Sequence, residues 1–180
     1  MLLAGMMCVA GPAMAEMAGP QGYSATMRWY QSAADAGDAQ AQFLLAQRYE
    51  RGVDGDADLA RAAEWYRRAA EQGLPEAQFK LGTFYARGAG VGADPALAVE
   101  WYGKAAALGL AAAQYNLGVA LLNGEGVARD PERALAWVSI AADELAVAVE
   151  LRDSLLQTLP AEQVAAARQR EIELRKPAKP

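Results

Sequence analysis

Residues 76–110, EAQFKLGTFYARGAGVGADPALAVEWYGKAAALGL, form one copy of a unit that the chain repeats on both sides. The four tryptophans lie 36 residues apart, and glycine, leucine and aspartate recur in the same frame. These recurring positions are Trp29, Trp65, Trp101 and Trp137; Gly52, Gly88 and Gly124; Gly37, Gly73 and Gly109; Leu45, Leu81 and Leu117; Asp58, Asp94 and Asp130. A fixed period of roughly 20–50 residues is typical of repeat proteins.

Each unit predicts two helices joined by a short loop. Apolar residues recur about every four positions over 76–87, which indicates an amphipathic helix, and Gly88 is expected to end it in a left-handed conformation. After the loop, Asp94 is expected to cap a second helix that has Pro95 at its first position and ends near Leu108. One such hairpin cannot bury both faces, so neighbouring hairpins must stack. The aromatic side chains are expected to fill the core between them.

The unit resembles the Sel1-like repeat, a subclass of the tetratricopeptide family of helical repeats. The resemblance rests on the pattern AxAQFxLGxxYxxGxGVxxDxxxAxxWYxxAAxxG, which residues 77–109 match. Unit one departs from the pattern at Asp54 and Gly55, and unit three has Leu121 and Val138 in place of two aromatic residues. The resemblance implies an all-α, right-handed solenoid of helix-turn-helix repeats, with capping helices at both ends and a role in binding proteins.

The amino-terminal 15 residues indicate a signal peptide. They carry no charged side chain and end in Ala13-Met14-Ala15, which fits cleavage near Ala15, and they are too short to span a bilayer. No Lys or Arg precedes the apolar stretch, so an apolar terminus on a cytosolic protein remains the alternative. Cleavage would also remove Cys8, the single cysteine, which suits an oxidising compartment. The predicted location is therefore the bacterial periplasm or the exterior.

The 36-residue period, and the point at which it stops, divide the rest of the chain into segments. The predicted order is a linker at 16–23, a half unit at 24–37, full units at 38–73, 74–109 and 110–145, capping helices at 146–174 and a disordered tail at 175–180. The stretch 168–180 holds five basic and two acidic residues, so weak contact with an anionic membrane or an acidic partner stays open beside the simpler interpretation of a solvated tail.

Composition argues against catalysis and against nucleic-acid binding. The net charge is −5 and the chain has no histidine, the commonest general base and metal ligand. No serine stands three residues before a lysine, so the S-x-x-K arrangement of penicillin-recognising enzymes is missing. Asp54, Asp56 and Asp58 alternate as calcium ligands do, but no glutamate follows at the distance that an EF-hand loop requires. We therefore predict no catalytic residue, cofactor or metal.

The first helices of the units are expected to line the concave side of the solenoid, where a partner would bind. Positions Gln47, Thr83 and Val119 differ from unit to unit, as solvent-facing or ligand-facing residues do. Arg51 and Arg87 recur and could pair with carboxylates of a bound peptide, although arginine also suits a helix C-terminus. The predicted partner-binding residues are Gln40, Gln47, Glu50, Arg51, Glu76, Thr83, Arg87, Val119 and Asn123.

These observations favour a non-enzymatic adaptor or regulator of the bacterial periplasm, which binds a peptide or protein partner of unknown identity. The alternative is an enzyme or binding protein of the cell envelope that acts on peptidoglycan. Such an enzyme would have to work with carboxylates, since histidine is absent.

Overall fold

The computed structural model describes residues 25–53 and 55–176, and this part of the chain contains nine α-helices and no strand. The predicted signal peptide and linker, Ser24, Asp54 and residues 177–180 lie outside the described residues. The helices are α1 (Ala25–Asp35), α2 (Ala39–Arg51), α3 (Leu59–Glu71), α4 (Pro75–Arg87), α5 (Pro95–Ala107), α6 (Ala111–Asn123), α7 (Pro131–Ala141), α8 (Ala146–Thr158) and α9 (Ala161–Leu174). The predicted all-α class is confirmed.

The helices pack in chain order, as a solenoid requires. From α1 to α8 each helix packs on the next one, and α9 returns to pack on α7. Helices α2 and α3 form unit one, α4 and α5 form unit two, and α6 and α7 form unit three. Helix α1 lies within the predicted half unit at 24–37. Because the extensive contacts join consecutive helices, the described units form a linear stack.

Local signals in each unit set the helix ends. The carboxylates of Asp58, Asp94 and Asp130 accept hydrogen bonds from backbone N–H groups three residues on, at 2.9, 3.0 and 2.9 Å. Gly88 ends α4 with a φ of 67°, a left-handed value that L side chains rarely adopt. Helix α5 ends at Ala107, one residue before the predicted end. The predicted caps and stops are confirmed.

Three buried glutamines join successive units. The side-chain amide of Gln42 donates to the Ala34 carbonyl at 3.1 Å, across the junction of α1 and α2. Gln78 and Gln114 make the equivalent bonds, to Ala70 at 3.2 Å and to Ala106 at 3.3 Å. Each bond adds a second donor to a carbonyl in the last turn of the preceding helix, which also accepts the backbone N–H of the glycine three residues on. The stack thus repeats a polar contact as well as an apolar one.

The aromatic core is centred on tyrosine more than on tryptophan. Tyr66 is fully buried, and its ring lies 5.6 Å from Phe43 of its own unit and 5.3 Å from Phe84 of the next unit. Trp65 is also buried, whereas Trp101 is half-buried. The expectation of core packing is wrong for Trp29, which is 63% exposed.

The carboxyl-terminal helices cover the far end of unit three. Helix α8 packs on α7 as α6 packs on α5, and α9 then runs along α7 in the same direction. Leu135, Leu155 and Ala167 form one apolar cluster from these three helices. Arg175, the first residue of the predicted disordered tail, is the C-cap residue of α9 and pairs with Asp143 at 2.6 Å. It therefore belongs to the capping helices.

Candidate partner-binding face

The nine predicted binding residues all lie on the first helices of the units, and none of them is buried. We call the surface that they form on α2, α4 and α6 the first-helix face. The exposed members are Gln40, Arg51, Glu76, Arg87 and Asn123, and the half-buried members are Gln47, Glu50, Thr83 and Val119. The helix frame thus brings these residues to the same side of successive hairpins.

The chemistry of the first-helix face changes along the stack. At one repeated position it carries an amide in Gln47, a hydroxyl in Thr83 and an apolar group in Val119. The hydroxyl of Thr83 donates to the Phe79 carbonyl at 3.0 Å, which holds its rotamer. One turn further on, Arg51 and Arg87 are followed by Asn123, so the positive charge belongs to units one and two. The surface is polar at one end and more apolar at the other.

Glu50 is already engaged within the protein. The buried hydroxyl of Tyr66 donates to the Glu50 carboxylate, and the Lys80 ammonium lies 3.0 and 3.1 Å from its two oxygens. Burial, and then the hydrogen bond to Glu50, raise the pKa of the Tyr66 hydroxyl well above its usual value. Glu50 therefore joins unit one to unit two. Its side chain is still 27% exposed, so its outer edge remains accessible.

Lys80 belongs to the first-helix face and was missed by sequence reasoning. It lies one turn before Thr83 and bonds a residue of the preceding unit. The aligned residues in the other units are Leu44 and Asn116, neither of which carries charge. Lysine occurs at this repeated position in one unit only, and the sequence does not show which carboxylate it pairs with. The only available signal was that Lys80 lies one turn from the predicted binding residue Thr83.

A cavity of about 190 Å³ opens at the amino-terminal end of the first-helix face. Its lining residues are Tyr30, Leu44, Gln47, Arg48, Arg51 and Val53. Two of them, Gln47 and Arg51, are predicted binding residues, and the other four were missed. The sequence held one signal for Arg48, since it occupies the position that the buried Phe84 and Ala120 take in the next two units. The guanidinium of Arg48 lies over the Tyr30 ring, 5.7 Å from its centroid. At the equivalent place one unit later, the Phe84 ring meets the Tyr66 ring edge-on.

The lining of this cavity is chemically mixed. The cavity combines the apolar surfaces of Tyr30, Leu44 and Val53 with amide and guanidinium donors at its rim. Such a combination suits an apolar side chain that lies next to a carboxylate.

Within residues 25–53 and 55–176, no three acidic, histidine or cysteine side chains come close enough to hold a metal ion. No helix in these two segments has the length and apolar character needed to cross a membrane.

Comparison with protein-family models matches the Sel1 repeat four times, at residues 12–38, 39–74, 75–110 and 111–144. The second to fourth matches agree with the predicted units to within about one residue at each end. The first match begins at residue 12, whereas the sequence predicted a half unit from residue 24 only. A comparison with curated proteins gives no match.

Solved structures show the same architecture. One is c5321, a protective antigen present in uropathogenic Escherichia coli strains displaying an SLR fold. It has 35% identity and a TM-score of 0.76 over 82% of this chain, but the match covers only 32% of c5321, so this chain spans about a third of its length. A Sel1 repeat protein from Oxalobacter formigenes has 40% identity and a TM-score of 0.66, over 72% of this chain and 98% of that one. Helicobacter pylori cysteine rich protein B, at 20% identity and a TM-score of 0.56 over 70% and 91%, shares the fold.

Proposed function

This chain belongs to the Sel1 repeat family, and from that membership we propose that it is a non-enzymatic adaptor that binds an extended segment of a partner protein on its first-helix face. Sel1 repeats are commonly protein–protein interaction modules. The partner would lie across α2, α4 and α6, which repeat at regular intervals along the stack.

The observation that carries the proposal is that the first helices share a buried leucine in every unit and present, on their accessible side, two recurring arginines beside a position that varies. Leu45, Leu81 and Leu117 recur in the core, all at most 5% exposed. On the accessible side, the repeated position carries Gln47, Thr83 and Val119, so each unit presents a different chemical group to a partner segment.

The chemistry of the face suggests the kind of segment that it takes. Arg51 and Arg87 present guanidinium groups at matching positions of two units, which suits carboxylates at intervals along the partner. Val119 and the half-buried Tyr115 and Leu122 make unit three more apolar. The bound segment would therefore be acidic beside units one and two and apolar beside unit three.

We propose the bacterial periplasm as the site of action, because residues 1–15 have the composition of a signal peptide. The mature protein would begin at Glu16. Mass measurement of the protein from a periplasmic fraction tests this: a chain that retains Met1 in the cytosol would contradict it.

Site-specific photo-crosslinking in the native host tests the binding proposal. A crosslinking amino acid replaces Arg87 on the first-helix face, or Glu100, an exposed residue of α5, as the matched control. We expect a discrete protein adduct from position 87 and none from position 100. Equal adducts from both positions would contradict the proposal. Turnover of peptidoglycan fragments by the purified protein, with no adduct, would favour the cell-envelope enzyme instead.

A further inference from the structure

A second groove lies at the other end of the molecule, where α8 and α9 both pack along α7. It has a volume of about 220 Å³ and is lined by Leu135, Ser139, Asp143, Arg152, Leu156, Ala167, Arg168, Glu171 and Arg175. Because α9 packs on α7 and does not continue the hairpin pattern with α8, the surface of α7 stays open between them. The groove is absent from the repeat pattern and arises from the carboxyl-terminal cap.

The floor of the groove is apolar and contains one hydroxyl group. Leu135 and Ala167 are 2% and 1% exposed and form the base, and the more exposed Leu156 forms one wall. Ser139 is half-buried in α7. Within the described part of the chain, its hydroxyl has no hydrogen-bond partner. A half-buried hydroxyl beside apolar carbons is available to a ligand.

The rim of the groove carries three arginines on a chain whose net charge is −5. Two of them are paired with carboxylates within the protein. Arg175 lies 2.6 Å from Asp143 and 2.9 Å from Glu171, and Arg152 lies 2.8 Å from Asp153. Arg175 also holds the pKa of the Asp143 carboxyl below its usual value, so Asp143 stays ionised.

Arg168 differs from the other two arginines of the rim. Its side chain is exposed, and it makes no ion pair or hydrogen bond with any residue of the two described segments. Its guanidinium lies beside the same groove as the Ser139 hydroxyl. Together they provide donors from α7 and α9 without an acceptor of their own.

We propose that this groove binds the terminal carboxylate of a peptide whose last side chain is apolar. The carboxylate accepts hydrogen bonds from Arg168 and Ser139, and the apolar side chain lies on Leu135 and Leu156. The volume is below the roughly 300–1,000 Å³ of pockets for drug-sized ligands, so it suits a single residue. The guanidinium of Arg168, which has no ion-pair partner among the described residues, matches one carboxylate, and Asp143 and Glu171 disfavour a dianion such as phosphate.

This site is separate from the first-helix face and does not depend on the proposed function. Its probes are N-acetyl-alanyl-leucine with a free carboxylate and the same dipeptide as its carboxamide. They are titrated into the ¹⁵N-labelled full chain and followed by NMR, with inorganic phosphate as a third ligand. We expect the free acid to shift the amide signals of residues 135–139 and 167–171, and to bind about tenfold more tightly than the carboxamide.

Variants assign the contacts. Arg168→Gln removes the charge without breaking an internal bond, so it should weaken binding of the free acid about tenfold, and Ser139→Ala should weaken it by a smaller factor. Arg51→Gln, on the first-helix face, is the matched control and should leave the affinity unchanged. Circular dichroism confirms the fold of each variant.

Three results would overturn the proposal. One is failure of the free acid to bind, or equal binding of the acid and the carboxamide. Another is tighter binding of inorganic phosphate than of the acid, which would remove the role of the apolar floor. The last is an Arg168→Gln variant with wild-type affinity. None of these would bear on binding at the first-helix face, which Arg51→Gln and Arg87→Gln test separately.

Discussion

At the scale of single residues, the buried glutamines that join the units differ in how completely their side chains are hydrogen-bonded. The side-chain oxygen of Gln42 accepts a hydrogen bond from Gln72 at 2.8 Å. In the next unit the oxygen of Gln78 is buried without a hydrogen-bond partner among the described residues. The residue that aligns with Gln72 there is Leu108, which cannot donate and is 57% exposed. Unit two therefore carries an unsatisfied acceptor that unit one avoids.

Replacing Leu108 with glutamine should stabilise the protein. The new side chain can donate to Gln78 as Gln72 donates to Gln42, and satisfying a buried acceptor contributes about 1 kcal/mol. Urea unfolding measures the difference. Leu108→Ala is the control, because it removes the same exposed leucine without adding a donor. If both variants have the same free energy of unfolding, the missing hydrogen bond to Gln78 does not reduce the stability of the protein.

Tyr66 should make stability depend on alkaline pH. Its hydroxyl is neutral in the folded state, where burial and Glu50 raise its pKa above the ordinary value of 10.0. The unfolded chain ionises first as pH rises, so the stabilising contribution is complete below pH 10 and is lost above it. Tyr66→Phe should be less stable by about 1–2 kcal/mol at pH 7, because it leaves Glu50 with one partner fewer. The gap between the two proteins should narrow above pH 10.

Urea unfolding of both proteins between pH 7 and pH 11.5 checks this. Tyr85→Phe is a suitable control, because Tyr85 is half-buried and does not bond Glu50. A gap that stays constant across the whole range would show that Tyr66 does not titrate differently in the two states.

At the scale of elements, a glycine in the hairpin loops of units two and three sets the spacing to the preceding unit. Gly90 follows α4 with a φ of 67°, and a Cβ added there would lie 2.2 Å from the backbone of Leu59, at the start of α3. Gly126 repeats the arrangement against Pro95, also at 2.2 Å. The loop of one unit thus presses on the second helix of the preceding unit. The aligned residue in unit one is Asp54, which lies outside the described residues.

Gly90→Ala should therefore destabilise the stack much more than a change two residues away. The added methyl group meets backbone atoms that cannot rotate aside, and φ is unfavourable, so we expect a loss of about 2–3 kcal/mol. Gly92→Ala is the matched control, because its Cβ would have nothing within 4 Å, and it should stay within about 0.5 kcal/mol of the wild type. Thermal and urea unfolding compare the two. Equal losses would mean that the loops do not fix the distance between units.

At the scale of the whole molecule, stability depends on how the ends of the stack are covered. At the amino-terminal end, α1 packs on α2 and leaves Trp29 exposed. At the other end, α9 lies along α7 and covers Leu135 and Leu155. Terminal units of a solenoid need such covers because their outer faces have no neighbour.

Removing residues 160–180 should uncover the end of unit three. Two buried leucines lose their cover, which should cost on the order of 3 kcal/mol, and dye binding to apolar surface should rise. Removing residues 177–180 alone is the control and should change neither quantity. A chain without residues 160–180 that is as stable as the full chain would show that α9 is not a structural cap.

The repeat and its helices could be predicted because they depend on local chemistry. The position of Gly88, the cap at Asp94 and the apolar rows are all written within one 36-residue period. The contacts of Glu50 with Lys80 and Tyr66 could not be predicted, since they join residues 30 and 16 positions apart through the stacking of units. The groove beside Arg168 could not be predicted either, because α9 packs on α7 outside the 36-residue repeat.

The affinity of the crosslinked partner for a charge-reversed first-helix face tests the central claim most directly. The double variant Arg51→Glu, Arg87→Glu is compared with the wild type by calorimetry, using Glu64→Lys, Glu100→Lys as a control of equal size on α3 and α5. We predict a loss of affinity of at least about tenfold for the first double variant and less than about twofold for the control. Unchanged affinity of the first double variant, or an equal loss in both, would contradict binding at the first-helix face.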